Sequence, residues 1–165
     1  ELLAEKALEL GIRLVIIRSG VVVRSLLGAP LIGQLSHPTA LTPFKFGLGG
    51  PLGNGKNFFP WISLDDLVNI YKQAVINTDM SGVYNAVAPQ EITNSDFTKA
   101  LGRALRRPAF FPVPSLLLYL MFGKEKAQQT ALASQRVIPQ RLVDSGFEFS
   151  HPEIDSALEM MLKSS

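Results

Sequence analysis

The sequence predicts an α/β fold built on a parallel sheet, and three observations predict it. Leu14-Val15-Ile16-Ile17, set between Arg13 and Arg18, is a continuous apolar run of the kind found in strands covered on both faces. Several segments repeat apolar residues at helical spacing. Strands are scarce beside them, with only Val83 to Ala88 clear and Phe58 to Ile62 and Phe110 to Val113 short and marked by proline.

Taken in order, Glu1 to Leu10 places Leu3, Ala4, Ala7 and Leu8 on one helical face, and Gly11 follows as a stop. No Ser, Thr, Asp or Asn stands ahead to cap this helix, so it is expected to begin mid-course. The chain is therefore read as the C-terminal part of a larger α/β fold. The stretch from Ser19 to Gly55 carries weak periodicity and several breakers, and its length suits a lid or binding segment. Ser63-Leu64-Asp65-Asp66 reads as a capping box opening a helix whose face is Leu64, Leu67, Val68, Tyr71, Ala74 and Val75. A second helix presents Phe97, Ala100, Leu101, Ala104 and Leu105, with Pro108 beyond its end. An apolar helix near Leu116 to Phe122 and a more polar one near Glu125 to Ser134 follow. The last helix is expected to start from Ser150 or His151, with Pro152 in its first turn, and to bury Ile154, Ala157, Leu158, Met161 and Leu162.

Composition excludes several classes of function. The 165 residues carry 16 basic and 14 acidic side chains, so the net charge is only +2 and the pI of 9.0 reflects no basic patch. Charged residues make up 18% and hydrophobic ones 47%, which excludes a disordered chain or a nucleic-acid-binding tail. The longest apolar run, Leu116 to Phe122, falls far short of the ~20 residues that cross a bilayer, so no membrane partner is expected. The absence of cysteine removes disulfides and thiolate chemistry and suits a reducing, cytoplasmic compartment.

The strongest local signal is the cluster Gly47, Gly49, Gly50, Gly53 and Gly55. Gly50 to Asn57 nearly matches a phosphate-binding loop, yet Asn57 replaces the hydroxyl needed for Mg²⁺ and Phe58-Phe59-Pro60 follows where a helix should begin. The plainer reading is a mobile, tightly turning loop, with a backbone-amide site for an anionic substrate as its alternative. His37 and His151 are the only histidines and precede prolines, so no metal site is expected. Adjacent Asp65 and Asp66 point about 100° apart on a helix and suit its positive end better than an acid/base couple. Arg103, Arg106 and Arg107 lie at a helix C-terminus, where cations are favoured anyway, and no nucleic-acid partner is expected. Trp61 reads as a core or loop anchor. No catalytic residue emerges from chemistry alone.

The ordered set Arg13 to Val23 (RLVIIRSGVVV), Pro43 to Gly55 (PFKFGLGGPLGNG), Pro60 to Val68 (PWISLDDLV), Gly82 to Pro89 (GVYNAVAP), Thr93 to Phe97 (TNSDF), Arg107 to Pro114 (RPAFFPVP), Gln135 to Leu142 (QRVIPQRL) and Gly146 to Phe149 (GFEF) is more specific. It resembles the C-terminal half to two-thirds of epimerase-family proteins of the nucleoside-diphosphate-sugar epimerase type, atypical extended short-chain dehydrogenases/reductases. The resemblance implies the C-terminal part of a Rossmann-like fold with a small helical substrate-side domain. Residues 1–92 would supply the last strands and loops of the Rossmann-like domain, and 93–165 the small domain. It further implies NAD or NADP in the intact protein and a nucleotide-sugar or other small-molecule substrate. By the same resemblance Arg18, Gly20 and Val21 would lie near the cofactor, the two latter mainly through backbone. Lys45, Gly49, Gly50, Trp61 and Asn85 would face the substrate. The superfamily's glycine-rich dinucleotide fingerprint and its Tyr-x-x-x-Lys pair are absent, since Tyr71, Tyr84 and Tyr119 lack a lysine four residues on. Ser63 stands where relatives often carry histidine. The resemblance thus leaves open an NAD(P)-linked isomerase portion, a non-catalytic interaction module, or a reductase of a small carbonyl substrate. An uncovered edge on the first strand predicts self-association.

Overall fold

The computed structural model describes residues 2–23, 44–114, 119–120, 123, 125 and 133–163. The expected helices near Leu116 to Phe122 and Glu125 to Ser134 fall largely outside these residues, as do the stretch from Ser25 to Thr42 and His37. Helix α1 (Leu2–Glu9) ends as expected at Gly11, which adopts φ +72°. Strand β1 (Val15–Ser19) realises the apolar run and pairs in parallel with β4 (Gly82–Ala86), in the register Val15↔Gly82 to Ser19↔Ala86. A second parallel pair joins β2 (Val21–Val23) to β3 (Trp61–Ser63). The candidate at Phe58 to Ile62 therefore forms a strand only in its second half. Phe58 makes a single antiparallel bridge to Thr93, and Val113 a single parallel bridge to Leu52.

Gly20 sits where the chain leaves one partner for the other. Its N–H donates to the Ala86 carbonyl at 3.0 Å, and the next N–H, Val21, donates to Pro60 at 2.8 Å. A Cβ at Gly20 would stand 2.8 Å from the Pro60 carbonyl oxygen, so the change of partner requires a residue without one.

Helix α2 (Leu64–Ile76) connects β3 towards β4 and corrects the expected face. Ile70, Ala74 and Asp66 are buried, whereas Val68, Tyr71 and Val75 are 55%, 53% and 77% exposed. The helix is apolar on two flanks, and the sheet takes the flank carrying Ile70 and Ala74. The guanidinium of Arg13 closes its C-terminal end, donating to the carbonyls of Ala74 and Met80 at 2.8 and 2.9 Å.

Helix α3 (Asn94–Leu105) buries Phe97, Ala100 and Leu101 as its periodicity demands. It starts from a full capping box between Thr93 and Asp96. The short α4 (Gln140–Asp144) packs on β4, and α5 (Ile154–Lys163) packs on α3. α5 begins later than expected, at Ile154, and the Ser150 and His151 amides ahead of it donate to the Asp66 carboxylate. Two apolar clusters result. One joins Ile62, Ile70, Tyr84, Ala86 and Leu142 around the sheet, and the other joins Trp61, Phe97, Leu101, Leu158 and Met161 around α3 and α5.

Candidate functional site

β1 and β4 run parallel, so their C-terminal ends finish together, and open parallel sheets bind ligands at that end. Arg18 and Asn85 are register partners there, with Gly20 one step beyond Ser19. The Asn85 side-chain amide donates to the Ile138 carbonyl at 3.2 Å. Val21 in turn pairs with Trp61. Five of the expected site residues, Arg18, Gly20, Val21, Trp61 and Asn85, are thus brought around one change of strand partner. Trp61 is buried, and its indole N–H donates to the Gln90 carbonyl at 3.3 Å. The Gln90 side chain accepts from the Ile154 amide at 2.7 Å, which links this wall to the start of α5.

Lys45, Gly49 and Gly50 lie on a separate segment. Lys45 is exposed, while Gly49 and Gly50 are buried. The loop turns tightly, as expected, but is docked along much of its length. The Gly49 carbonyl accepts from Phe111, Pro51 accepts from Val113, and the Gly53 amide donates back to Val113. The Asn94 side chain at the head of α3 accepts from Leu52 at 2.7 Å. A Cβ at Gly50 would fall 1.7 Å from the Phe111 oxygen, so glycine here permits two backbones to touch. The amides of Gly47, Gly53 and Gly55 donate to carbonyls of the protein itself, which leaves these three without a hydrogen for an anion. No helix begins directly after Lys56, so the phosphate-loop geometry does not form.

Beside Trp61 a shallow, open pocket with room for about one water molecule lies between Phe58 to Trp61, Ala88, Gln90 to Ile92 and Gln135 to Val137. Arg136 forms an ion pair with Glu91 at its rim and lies 5.6 Å over the Phe58 ring. Hydrogen bonding from Arg136 holds the Glu91 carboxyl below its ordinary range, against a smaller opposing effect of desolvation, and Glu91 raises the guanidinium in return. Sequence reading did not single out either residue. Arg136 is visible only as part of the QRVIPQRL segment, and its partner lies 45 residues away.

Asp66 stands at the helix start as expected, but its carboxylate has a role that sequence reading missed. It is fully buried, and its carboxylate accepts from the Ser63 hydroxyl at 2.7 Å and from the amides of Ser150 and His151 at 2.7 and 3.1 Å. The Ser63 cap bond to the Asp66 amide forms as expected, but the carboxylate serves the distant segment. Asp65 is exposed, 3.4 Å from the His151 imidazole. Among the described residues no cluster of side chains could hold a metal ion, and no helix is long and apolar enough to cross a membrane.

Parallel strands joined by a covering helix, followed by a small helical unit, make up the C-terminal part of a Rossmann-like extended short-chain dehydrogenase/reductase fold. A crystal structure of the human epimerase family protein SDR39U1 (isoform 2) with NADPH superposes with a TM-score of 0.84 at 40% identity, over 93% of this chain and 50% of that one. The nucleoside-diphosphate sugar epimerase from Corynebacterium glutamicum follows at TM-score 0.69 and 31% identity, over 98% of this chain and 28% of that one. By sequence, the epimerase family protein SDR39U1 of Bos taurus is 42% identical over 151 residues, covering 91% of this chain and 49% of the relative. Residues 113–161 match a family model described as a domain of unknown function, DUF1731. The chain belongs to this epimerase family, as a C-terminal portion, and spans about half the length of the curated relatives it matches.

Proposed function

We propose that the chain serves an NAD(P)-dependent, nucleoside-diphosphate-sugar epimerase-like protein, supplying substrate-side walls and part of the cofactor floor. The carrying observation is the register pair Arg18–Asn85 at the joint C-terminal ends of β1 and β4, with the change of strand partner at Gly20 beside it. In this reading Arg18, Gly20 and Val21 border the cofactor. The N–H groups of Gly20 and Val21 are already committed to Ala86 and Pro60, so these residues offer close approach of backbone and not amide donation. Asn85, Trp61, Lys45, Gly49 and Gly50 form the substrate side. A bound nicotinamide would supply hydride exchange with a substrate carbinol. The described tyrosine nearest the site, Tyr84, is buried beneath the Arg141 guanidinium at 4.2 Å, which fits a structural role and leaves proton transfer to residues outside this chain.

Calorimetric titration of NADPH tests the reading in two arms, this chain alone and this chain joined to the N-terminal half of the human relative. Saturable binding is expected only in the joined protein, and Arg18→Ala should weaken it about ten-fold, the loss of one charge-assisted contact. Binding by the chain alone, or none by the joined protein, overturns the proposal.

A further inference from the structure

Residues 134–138 run beside the pocket at Trp61 without regular secondary structure, Gln135 to Val137 forming part of its wall, and three polar contacts tie them to the rest of the chain. The Ser134 hydroxyl accepts from the Phe58 amide at 3.1 Å, Arg136 pairs with Glu91, and the Ile138 carbonyl accepts from Asn85 at 3.2 Å. All three are solvent-exposed contacts. Immediately beyond, the chain is fixed firmly, with Pro139 and Leu142 buried and Arg141 donating to the carbonyls of Ser81 and Val83. A segment tied beside a pocket by exposed polar bonds, next to one that is firmly fixed, can lift without disturbing the core.

We infer that residues 134–138 are a strap over this pocket, that the Glu91–Arg136 pair is its latch, and that an incoming anion releases the latch by taking the guanidinium from Glu91. The Glu91 carboxylate occupies the fork of Arg136 in the way any oxyanion would, through two guanidinium nitrogens. Because the pair is exposed, water and salt already weaken it, so exchange for another anion costs little. The inference stands apart from the proposed cofactor, since nothing in the latch involves one.

Trp61 is the only tryptophan in the chain and forms part of the pocket wall, so acrylamide quenching of its fluorescence reports the strap directly. Glu91→Gln and Arg136→Gln should each raise the quenching constant about two-fold as the strap opens. The double variant should go no further than either single one, because the two residues form one latch. Asp155→Asn removes a similar exposed pair, with Arg103, and should leave quenching unchanged. Inorganic phosphate at constant ionic strength should raise quenching in the unmodified protein and have no effect on Arg136→Gln. Unchanged quenching in the single variants, additive effects in the double, a response in Asp155→Asn, or indifference of the unmodified protein to phosphate would overturn the inference.

Discussion

Two neighbouring stretches late in the chain are tied to its first half in opposite ways. Residues 139–151 are held by buried groups, with Pro139 and Leu142 in the core and the Ser150 and His151 amides on the fully buried Asp66 carboxylate. Residues 134–138 make their polar ties through exposed groups. Each tie centres on a carboxylate, yet the two differ in cost of removal. A buried acceptor that is lost strands its donors away from water, whereas an exposed pair that is lost is replaced by solvent. The first arrangement fixes the fold, and the second leaves a segment free to respond to what arrives.

The largest effect should come from Asp66→Ala, which takes the acceptor from two part-buried amides and from the buried Ser63 hydroxyl at once. Urea unfolding should show a loss of about 3 kcal/mol, in the range for breaking buried polar networks. Asp66→Asn should recover part of this, since one oxygen still accepts while the new amide group faces an N–H it cannot serve. Equal stability of Asp66→Ala and the unmodified protein would erase the contrast between the two ties.

Arg141→Ala should come next. It removes the stacking over Tyr84 and two hydrogen bonds, to the carbonyls of Ser81 and of Val83 in β4, and should cost about 1–2 kcal/mol in the same measurement. Glu91→Gln should leave the unfolding midpoint within error while changing the accessibility of Trp61. A marked drop in stability would place the strap with the buried tie after all.

The smallest effect is with pH. The folded protein holds Glu91 and Asp96 below their ordinary carboxylate range, Glu91 first through its hydrogen bond from Arg136 and Asp96 first through the Thr93 hydroxyl. A carboxylate depressed on folding contributes stability that is complete above its unfolded value and is lost as pH falls through its folded value. Acidification through that window should therefore raise the quenching of Trp61 in the unmodified protein towards the level of Glu91→Gln, which should itself change little. A constant gap between the two proteins down to the lowest folded pH would show that Glu91 is not the latch.

Much of the architecture was legible in the residues because it follows from local rules. The Leu14 to Ile17 run became β1, Gly11 ended α1 in a left-handed turn, and α3 buried the residues at its helical spacing. Of the candidate site, the ordered segments proposed Arg18, Gly20, Val21, Trp61 and Asn85, which the fold brings around one change of strand partner. Less legible was the flank of α2 that meets the sheet. With apolar residues on both sides, periodicity favoured Val68, Tyr71 and Val75 beside Ala74, and the structure buried Ala74 together with Ile70 instead. The docked glycine loop escaped for another reason. Glycine signals freedom of the backbone, but whether that freedom serves a mobile turn or a contact such as that between Gly50 and Phe111 depends on the segment alongside.

The sequence by itself determined the elements: where the chain extends, where helices start under Ser63 and Thr93, and where glycine must stand. Only the tertiary structure decided what the polar groups do. Asp66 lies three residues after its cap, and local reasoning assigns its carboxylate to that cap. In the folded chain it serves the amides of Ser150 and His151, 84 and 85 residues away. Glu91 and Arg136 meet across 45 residues in the same manner. Helical periodicity and capping are written in neighbouring residues because backbone hydrogen bonds close over three or four positions. A buried carboxylate must satisfy its oxygens wherever folding brings donors, and that requirement has no fixed spacing in the chain.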